Sequence, residues 1–532
     1  MQGLQGIPFD DPEWLQAWLA RINSESELLQ FVGPMDFTNL SERLSALSIE
    51  DPVRFKALTT DALPQALLSL FSVVRDEAES RRVLDELLEH YPELSGIDRG
   101  QVLWLCRQLK DADRLLDVVK ESLDPERLNL AQGLENWQVD LKSGAMLPDT
   151  LRPDAFELGV NLAQTPGDVV FENQLFQLIQ YRPTTETVHA HPVLLIPAYV
   201  NRYYILDLTP ETSLVRWLVD AGHTVFLISW VNPTALLSQY DMTHYVLDGA
   251  LAALDQIDRM MPRTQVQLMG YCAGGVIASI LAAWLSARGE ERVASLTLLT
   301  TLLDYEEAGP LGQLVSEARL SALREPLTKL GYLPAELMLR TFASLRPHDL
   351  LVGRFLSAYF RGERGKPFPL LHWLGDGTRT PAALVIWTLE HLYLHNRLVG
   401  TPPLVVAGQP IDLSQIKVPV FLMAAEQDEI SPWQSVMRSA AHFGGEVTAV
   451  LGQGGHNAGV IHDPTKPKRG HYVLDPANVA ELSSQTLKSG SWWPTWGEFL
   501  AAHGGEMGKP IEPGGGLRPV IEPAPGRYVS QR

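Results

Sequence analysis

One tight turn constrains this chain more than any other feature. In Gly270-Tyr271-Cys272-Ala273-Gly274-Gly275 a lone cysteine stands between glycines. An apolar alternating run, Gln265 to Met269, comes just before it. After it, Val276 to Leu285 carries apolar residues at Val276, Ile277, Ile280, Leu281, Trp284 and Leu285, the spacing of one buried helix face. The pattern predicts a strand, a sharp turn with Cys272 at its apex, and a helix. Glycines around the apex permit backbone that a Cβ would obstruct. Sulfur in the position of a nucleophile points toward acyl-thioester chemistry.

The 532 residues suffice for a large core and more than one domain. Hydrophobic content of 45% and charged content of 20% are globular values. A formal net charge of -20 argues against a nucleic-acid partner, since phosphate neutralisation needs clustered Lys and Arg. Only two cysteines are present, Cys106 and Cys272, so neither a disulfide framework nor a cysteine-rich zinc site is expected. Phosphate-loop and His-Glu-x-x-His patterns are lacking, and Gly452-Gln453-Gly454-Gly455 misses the third dinucleotide-binding glycine because residue 457 is Asn. No cofactor and no metal are expected. Met1 to Asp11 shows no signal-peptide pattern, and no run of about 18 apolar residues suggests a membrane span. The expectation is a cytoplasmic protein with reduced thiols.

Residues 1–150 read as a helical region, with apolar residues at helical spacing over Asp11 to Val32, Leu63 to Tyr91, Gln101 to Leu123 and Glu126 to Lys142. Cys106 reads there as a core thiol, and Trp14, Leu15, Trp18 and Leu19 as a buried cluster. From 151 short β-rich runs alternate with amphipathic helices. Strand candidates are Pro192 to Pro197, Thr224 to Ser229, Gln265 to Met269, Ser295 to Thr300, Val418 to Ala424 and Val447 to Leu451. Ser213 to Ala221 and Val246 to Met261 read as helices between them. Such alternation implies a mainly parallel sheet covered on both faces. Residues 303–405 interrupt the rhythm with helical, aromatic-rich sequence, including Tyr332, Phe342, Phe355, Trp373, Trp387 and Tyr393. Residues 406–503 return to the core pattern. The last stretch, 504–532, is rich in Gly and Pro and reads as a poorly packed tail.

A thiol nucleophile needs a base, and the base needs an orienting carboxylate. Both follow strands. Val418 to Ala424 leads into Glu426-Gln427-Asp428-Glu429, and Val447 to Leu451 leads through four residues to His456. The order nucleophile, acid, histidine, each after a strand, is that of the α/β-hydrolase fold. The fold class expected is therefore α/β, an α/β-hydrolase core with a helical cap insertion and an N-terminal helical region. The candidate catalytic residues are Cys272, Asp428 and His456. Glu426 rivals Asp428, and His462 and His471 rival His456. The oxyanion hole should use the backbone N–H of Ala273 and one from the loop after Pro192 to Pro197.

The chain resembles the polyhydroxyalkanoate synthases from about Phe156 to Trp496 and again at Ala524 to Val529. The likeness rests on the Gly-x-Cys-x-Gly-Gly box at Gly270 to Gly275, on Phe171 to Tyr181, on Tyr203 to Leu208, and on Ser229 to Pro233. It extends over Gly455 to Ile461 and Gly490 to Pro494. The resemblance implies that Cys272 carries the growing acyl chain, that His456 and Asp428 activate it and the incoming hydroxyl, and that Val200 supplies the second oxyanion N–H. It implies (R)-3-hydroxyacyl-CoA as substrate, polyester and CoA as products, a homodimer, and residence at cytoplasmic polyester granules with granule-associated proteins. Four positions depart from the family pattern: Thr234 for Asp, Glu429 for His, Ala198 for Pro and Leu374 for Asn. The same triad could also serve a thioesterase, a polyester depolymerase or a dienelactone-type hydrolase, or sit in a catalytically weak granule-associated paralogue.

Overall fold

A computed structural model describes residues 77–90, 129–145, 147–344, 353–475, 486–516 and 519–532. The described residues group into two compact units. One comprises residues up to Asp154 together with Leu339–Gly375, and the other comprises Ala155–Met338 and Asp376–Arg532.

The larger unit is built on an eleven-stranded sheet. In chain order its strands are β1 (Gly167–Glu172), β2 (Phe176–Tyr181), β3 (Val193–Ile196), β4 (Val225–Trp230), β5 (Val266–Tyr271) and β6 (Val293–Leu299). They continue as β7 (Val420–Ala425), β8 (Val447–Gly452), β9 (Gly470–Leu474), β10 (Lys488–Ser489) and β11 (Glu522–Pro523). The spatial order is β10-β9-β8-β7-β6-β5-β3-β4-β2-β1-β11. Neighbours from β4 to β8 are parallel. Both flanks are antiparallel.

Composition explains the centre. Strands β3, β4, β5 and β7 read Val-Leu-Leu-Ile, Val-Phe-Leu-Ile-Ser-Trp, Val-Gln-Leu-Met-Gly-Tyr and Val-Phe-Leu-Met-Ala-Ala, and every residue in them is buried. Near-continuous apolar strands of this kind suit a parallel sheet covered on both faces. Some polar side chains of the central sheet are paired, while the Ser229 hydroxyl in β4 has no partner. Ser295 donates its hydroxyl to the side-chain carbonyl of Gln267 at 3.0 Å, and Thr297 accepts the indole N–H of Trp496 at 2.9 Å. All six strand candidates coincide with central strands, their ends displaced by two residues at most. The helix after Cys272 runs Ala273–Ala287. Ser213 caps the helix Leu214–Asp220 by accepting the Arg216 amide at 2.9 Å. The span expected as one helix over Val246 to Met261 begins as a π-helical turn, Tyr245–Leu251, and continues as an α-helix, Ala252–Met260.

Chain order places the site. From β3 the sheet grows to β4 on one side and to β5 on the other, so the crevice at the carboxyl ends of β3 and β5 is a topological switch point. The Cys272 turn and the loop holding Val200 leave the sheet there.

The tail corrects an expectation. Far from packing poorly, it supplies β11, which pairs with β1 through Asp168 opposite Pro523 and Val169 opposite Glu522. Arg527 bridges Glu172 at 2.6 Å and Glu522 at 2.9 Å, and Val529 is buried. Proline costs nothing on the outer side of an edge strand, where no ladder donor is needed. Gly515, Gly516 and Gly526 take positive φ where the tail turns. A composition that reads as loose is here one of bends.

In the smaller unit the helix Glu77–His90 falls within one expected helical stretch, and Leu130–Ser143 overlaps another and runs one residue past its end at Lys142. Arg364 pairs with Asp140 and, at 3.0 Å, with Asp149. The stretches Asp11 to Val32 and Gln101 to Leu123, with Trp14, Trp18 and Cys106, lie outside the described residues. Within 303–405 the described helices include Glu317–Leu330, Pro369–Gly375, Ala382–Trp387 and the π turn Thr388–Leu394. No helix among the described residues is long and apolar enough to cross a membrane.

Candidate active site

Cys272 sits at φ 53°, ψ -124° at the N-cap of the helix Ala273–Ala287. This backbone is unfavourable for a side chain and persists only where the surroundings over-determine it. Here they do. The Cys272 amide donates to the Leu299 carbonyl at 2.9 Å, and its carbonyl accepts the Gly275 amide at 2.9 Å and the Thr301 hydroxyl at 3.2 Å. All three flanking glycines are required. A Cβ on Gly270 would lie 2.3 Å from the Gly275 Cα, one on Gly274 would lie 2.0 Å from the Ile196 carbonyl oxygen, and one on Gly275 would lie 1.9 Å from the Thr301 hydroxyl. We expect Gly274→Ala to destabilise the protein by about 3 kcal/mol or more, because backbone rather than a mobile side chain stands in the way. Chemical denaturation checks this, and a cost under about 1 kcal/mol would mean that the turn relaxes freely.

Asp428 and His456 come together beside this turn. Nδ1 of His456 lies 2.7 Å from Oδ2 of Asp428. The other carboxylate oxygen, Oδ1, accepts the amides of Ile430 at 2.9 Å and Ser431 at 2.8 Å, which fixes the carboxylate and leaves Oδ2 for the imidazole. The two loops are stitched together, Glu426 donating its amide to the Gly452 carbonyl at 2.9 Å and Gln427 to that of Gly454 at 2.8 Å. Burial opposes a charge on His456, yet Asp428, and after it Cys272, hold its pKa well above the ordinary value of 6.5.

The rivals are placed elsewhere. His462 bonds the Ser491 hydroxyl at 2.8 Å and packs on Trp493, and burial lowers its pKa to about 4. His471 is held by the Gly490 carbonyl and the Thr495 hydroxyl. It is Asp428, two residues past Glu426, that meets the imidazole. Ala273 is the first residue of its helix, so its N–H has no intrahelical acceptor. Val200 lies in the loop after β3, on the same edge of the sheet.

Sequence reasoning missed what fixes the histidine loop. The indole N–H of Trp492 donates to the Gly459 carbonyl at 3.0 Å and that of Trp493 to the Val460 carbonyl at 2.9 Å. Both rings are buried. Tyr271, just before the cysteine, donates its hydroxyl to the Asn457 side chain. The Trp492-Trp493 pair was visible as a motif, but its target 33 residues away was not. We expect Trp493→Phe to lower kcat about tenfold through a displaced imidazole, with KM nearly constant. Steady-state kinetics check this, and an unchanged kcat would leave the indole a purely structural role.

An aromatic wall also went unread. Tyr199, Tyr305 and Tyr393 lie near Cys272, which adds a little to the upward shift of each phenol. Burial pushes the Tyr199 phenol up to about 12 and the other two higher still. Tyr305 and Tyr393 meet edge to face at 4.8 Å, and Tyr199 bonds the Thr388 hydroxyl at 3.1 Å. They form a low-polarity wall that stays uncharged.

Two of the departures have a local explanation. Thr234 caps the short turn Ala235–Leu237 by accepting the Leu236 amide, a task Thr and Asp both perform. Leu374 packs on Leu147, Leu339 and Ala343, where an amide would need a partner. Nothing in the structure explains Glu429.

A cysteine on a strand-to-helix turn and a histidine–aspartate pair on the same sheet edge are the arrangement expected of an enzyme with the α/β-hydrolase fold. The family model described as alpha/beta hydrolase fold matches residues 191–463. The model described as Poly-beta-hydroxybutyrate polymerase (PhaC) N-terminus matches residues 74–218. The chain is 37% identical over 490 residues to the poly(3-hydroxyalkanoate) polymerase subunit PhaC of Cupriavidus necator, covering 90% of this chain and 81% of that one. It is 38% identical over 422 residues to a poly(3-hydroxyalkanoate) polymerase of Methylorubrum extorquens, covering 78% and 70%. Among solved structures it is similar to an esterase from Exiguobacterium antarcticum, with 16% identity, a TM-score of 0.33 and coverage of 55% of this chain and 92% of that one. The chain belongs to the poly(3-hydroxyalkanoate) polymerase family.

Proposed function

We propose that this enzyme polymerises (R)-3-hydroxyacyl-CoA through a covalent acyl intermediate on Cys272. The observation that carries the reading is the buried pair of Asp428 and His456 beside a cysteine held on a strained turn. His456 takes the thiol proton, and the sulfur attacks the thioester carbonyl. The carbon–sulfur bond to CoA breaks, and His456 returns the proton to the departing thiolate. Asp428 keeps the imidazole in the productive tautomer and stabilises its cation. The amides of Ala273 and Val200 hold the oxyanion. A hydroxyl then gives its proton to His456 and attacks the acyl-cysteine, an ester forms, and the thiol of Cys272 is restored.

Sulfur suits this sequence. Exchange of one thioester for another is nearly balanced, so the acyl group stays activated until a hydroxyl arrives. Water must be excluded meanwhile, which is the purpose we assign to 303–405 as a cap, with Tyr305 and Tyr393 in its inner wall. Family membership supports two further readings, a homodimer and residence at a polyester granule surface, with granule-associated proteins as partners. Light scattering of the purified protein and fractionation of producing cells test these.

The experiment for the reaction itself is incubation of the purified enzyme with (R)-3-hydroxybutyryl-CoA, measuring CoA release and extracting the product into organic solvent. Extractable polyester is the expected result. CoA release with free hydroxyacid alone would make the protein a hydrolase, and no release would leave it the paralogue role.

A further inference from the structure

The loop carrying Val200 is fastened from behind by residues far away in sequence. Arg202 and Asp376, both almost fully buried, face each other with Nε and Oδ1 3.3 Å apart. Tyr204 donates its hydroxyl to the second oxygen of Asp376 at 3.1 Å. The tail closes the arrangement. Arg202 donates to the Gln531 carbonyl at 2.6 Å and to that of Tyr528 at 3.5 Å, and the Arg532 guanidinium pairs with Asp376. The segment after Asp376 then returns to the loop itself. Gly377 bridges Asn201, and the Thr378 hydroxyl donates to the Tyr199 carbonyl at 3.1 Å. Asn232, after β4, joins both sides by accepting the Arg379 amide at 3.0 Å and donating to the Gln531 carbonyl at 3.3 Å.

A buried ion pair is a weak source of net stability. It is a strong source of geometry, because each charge is buried and is satisfied by a fixed set of partners drawn from the loop, the 376–379 segment and the tail. We propose that Asp376, Arg202 and Thr378 are positioning residues that hold the Val200 amide on the oxyanion, with the C-terminal segment Tyr528–Arg532 as their clamp. This rests on the reading of Val200 as an oxyanion donor. The tail, which touches no reacting atom, thereby sets the rate of acyl transfer.

The test compares two reactions of the same sulfur. Acylation of Cys272 by p-nitrophenyl butyrate passes through an oxyanion; alkylation by iodoacetamide does not. Asp376→Asn is expected to slow acylation about 50-fold and Thr378→Val about fivefold, as a misplaced donor does. Alkylation by iodoacetamide should stay within about twofold of the parent in both, since that step draws nothing from the oxyanion hole. Acylation at the parental rate in both variants would overturn the proposal, and so would equal losses of acylation and alkylation, which mark a merely structural role. Should Asp376→Asn not fold, Thr378→Val decides alone, because it removes one hydroxyl and keeps the shape. The ester probe does not depend on hydroxyacyl-CoA recognition. A parent acylated by the ester but inert toward (R)-3-hydroxybutyryl-CoA would sink the substrate assignment and leave this test standing.

Discussion

Cys272→Ala is expected to release no measurable CoA from (R)-3-hydroxybutyryl-CoA, a loss on the order of 10⁴-fold or more, because every later step passes through the sulfur. The variant keeps the fold, since the turn is held by the backbone bonds to Leu299 and Gly275 and by the Thr301 hydroxyl. Cys272→Ser is the sharper companion. Its hydroxyl fits the same space, but the oxygen ester it forms holds the acyl group less activated than a thioester. Serine should therefore leave chain extension more impaired than the first acylation. A serine variant that makes polymer at the parental rate would remove the argument for sulfur.

Asp428→Asn is expected to lower kcat by about 10³- to 10⁴-fold. Asparagine can still accept the amides of Ile430 and Ser431, but its NH2 then faces Nδ1 of His456 and demands the other tautomer. Stability changes with a defined sign. His456 has a folded pKa raised well above its unfolded value of 6.5, so it contributes stability that is fully present below 6.5 and lost as pH rises through the folded value. The parent should therefore exceed Asp428→Asn in melting temperature most clearly near pH 6, and the gap should shrink as pH climbs. A gap that widens with pH would mean that the pair is not held by charge.

Reading from the residues works where the constraint is local. The Cys272 turn is legible because three glycines and two flanking periodicities fall within twenty-odd residues. Strands β3 to β8 are legible because burial on both faces makes them mainly apolar. The sheet flanks are not. Strand β2 contains Gln177 and Gln180, whose side chains are buried against the tail, with Gly514 donating its amide to Gln180. Nothing nearby in the sequence announces that partner. The choice between Glu426 and Asp428 is likewise open in the sequence, because both follow β7. It falls to the residue whose second oxygen can take two amides as the loop turns back. Long-range polar contacts are the least legible of all. Arg202 and Asp376 stand 174 positions apart, and their types alone are those of any surface pair.

A covalent acyl group on Cys272 can be caught by mass spectrometry of the enzyme quenched in acid during turnover of (R)-3-hydroxybutyryl-CoA. A hydroxybutyryl adduct, or a ladder of such units, is expected on the peptide that contains Cys272, and none on Cys272→Ala. Turnover with the Cys272 peptide unmodified, or an adduct that persists in the alanine variant, would contradict the covalent intermediate.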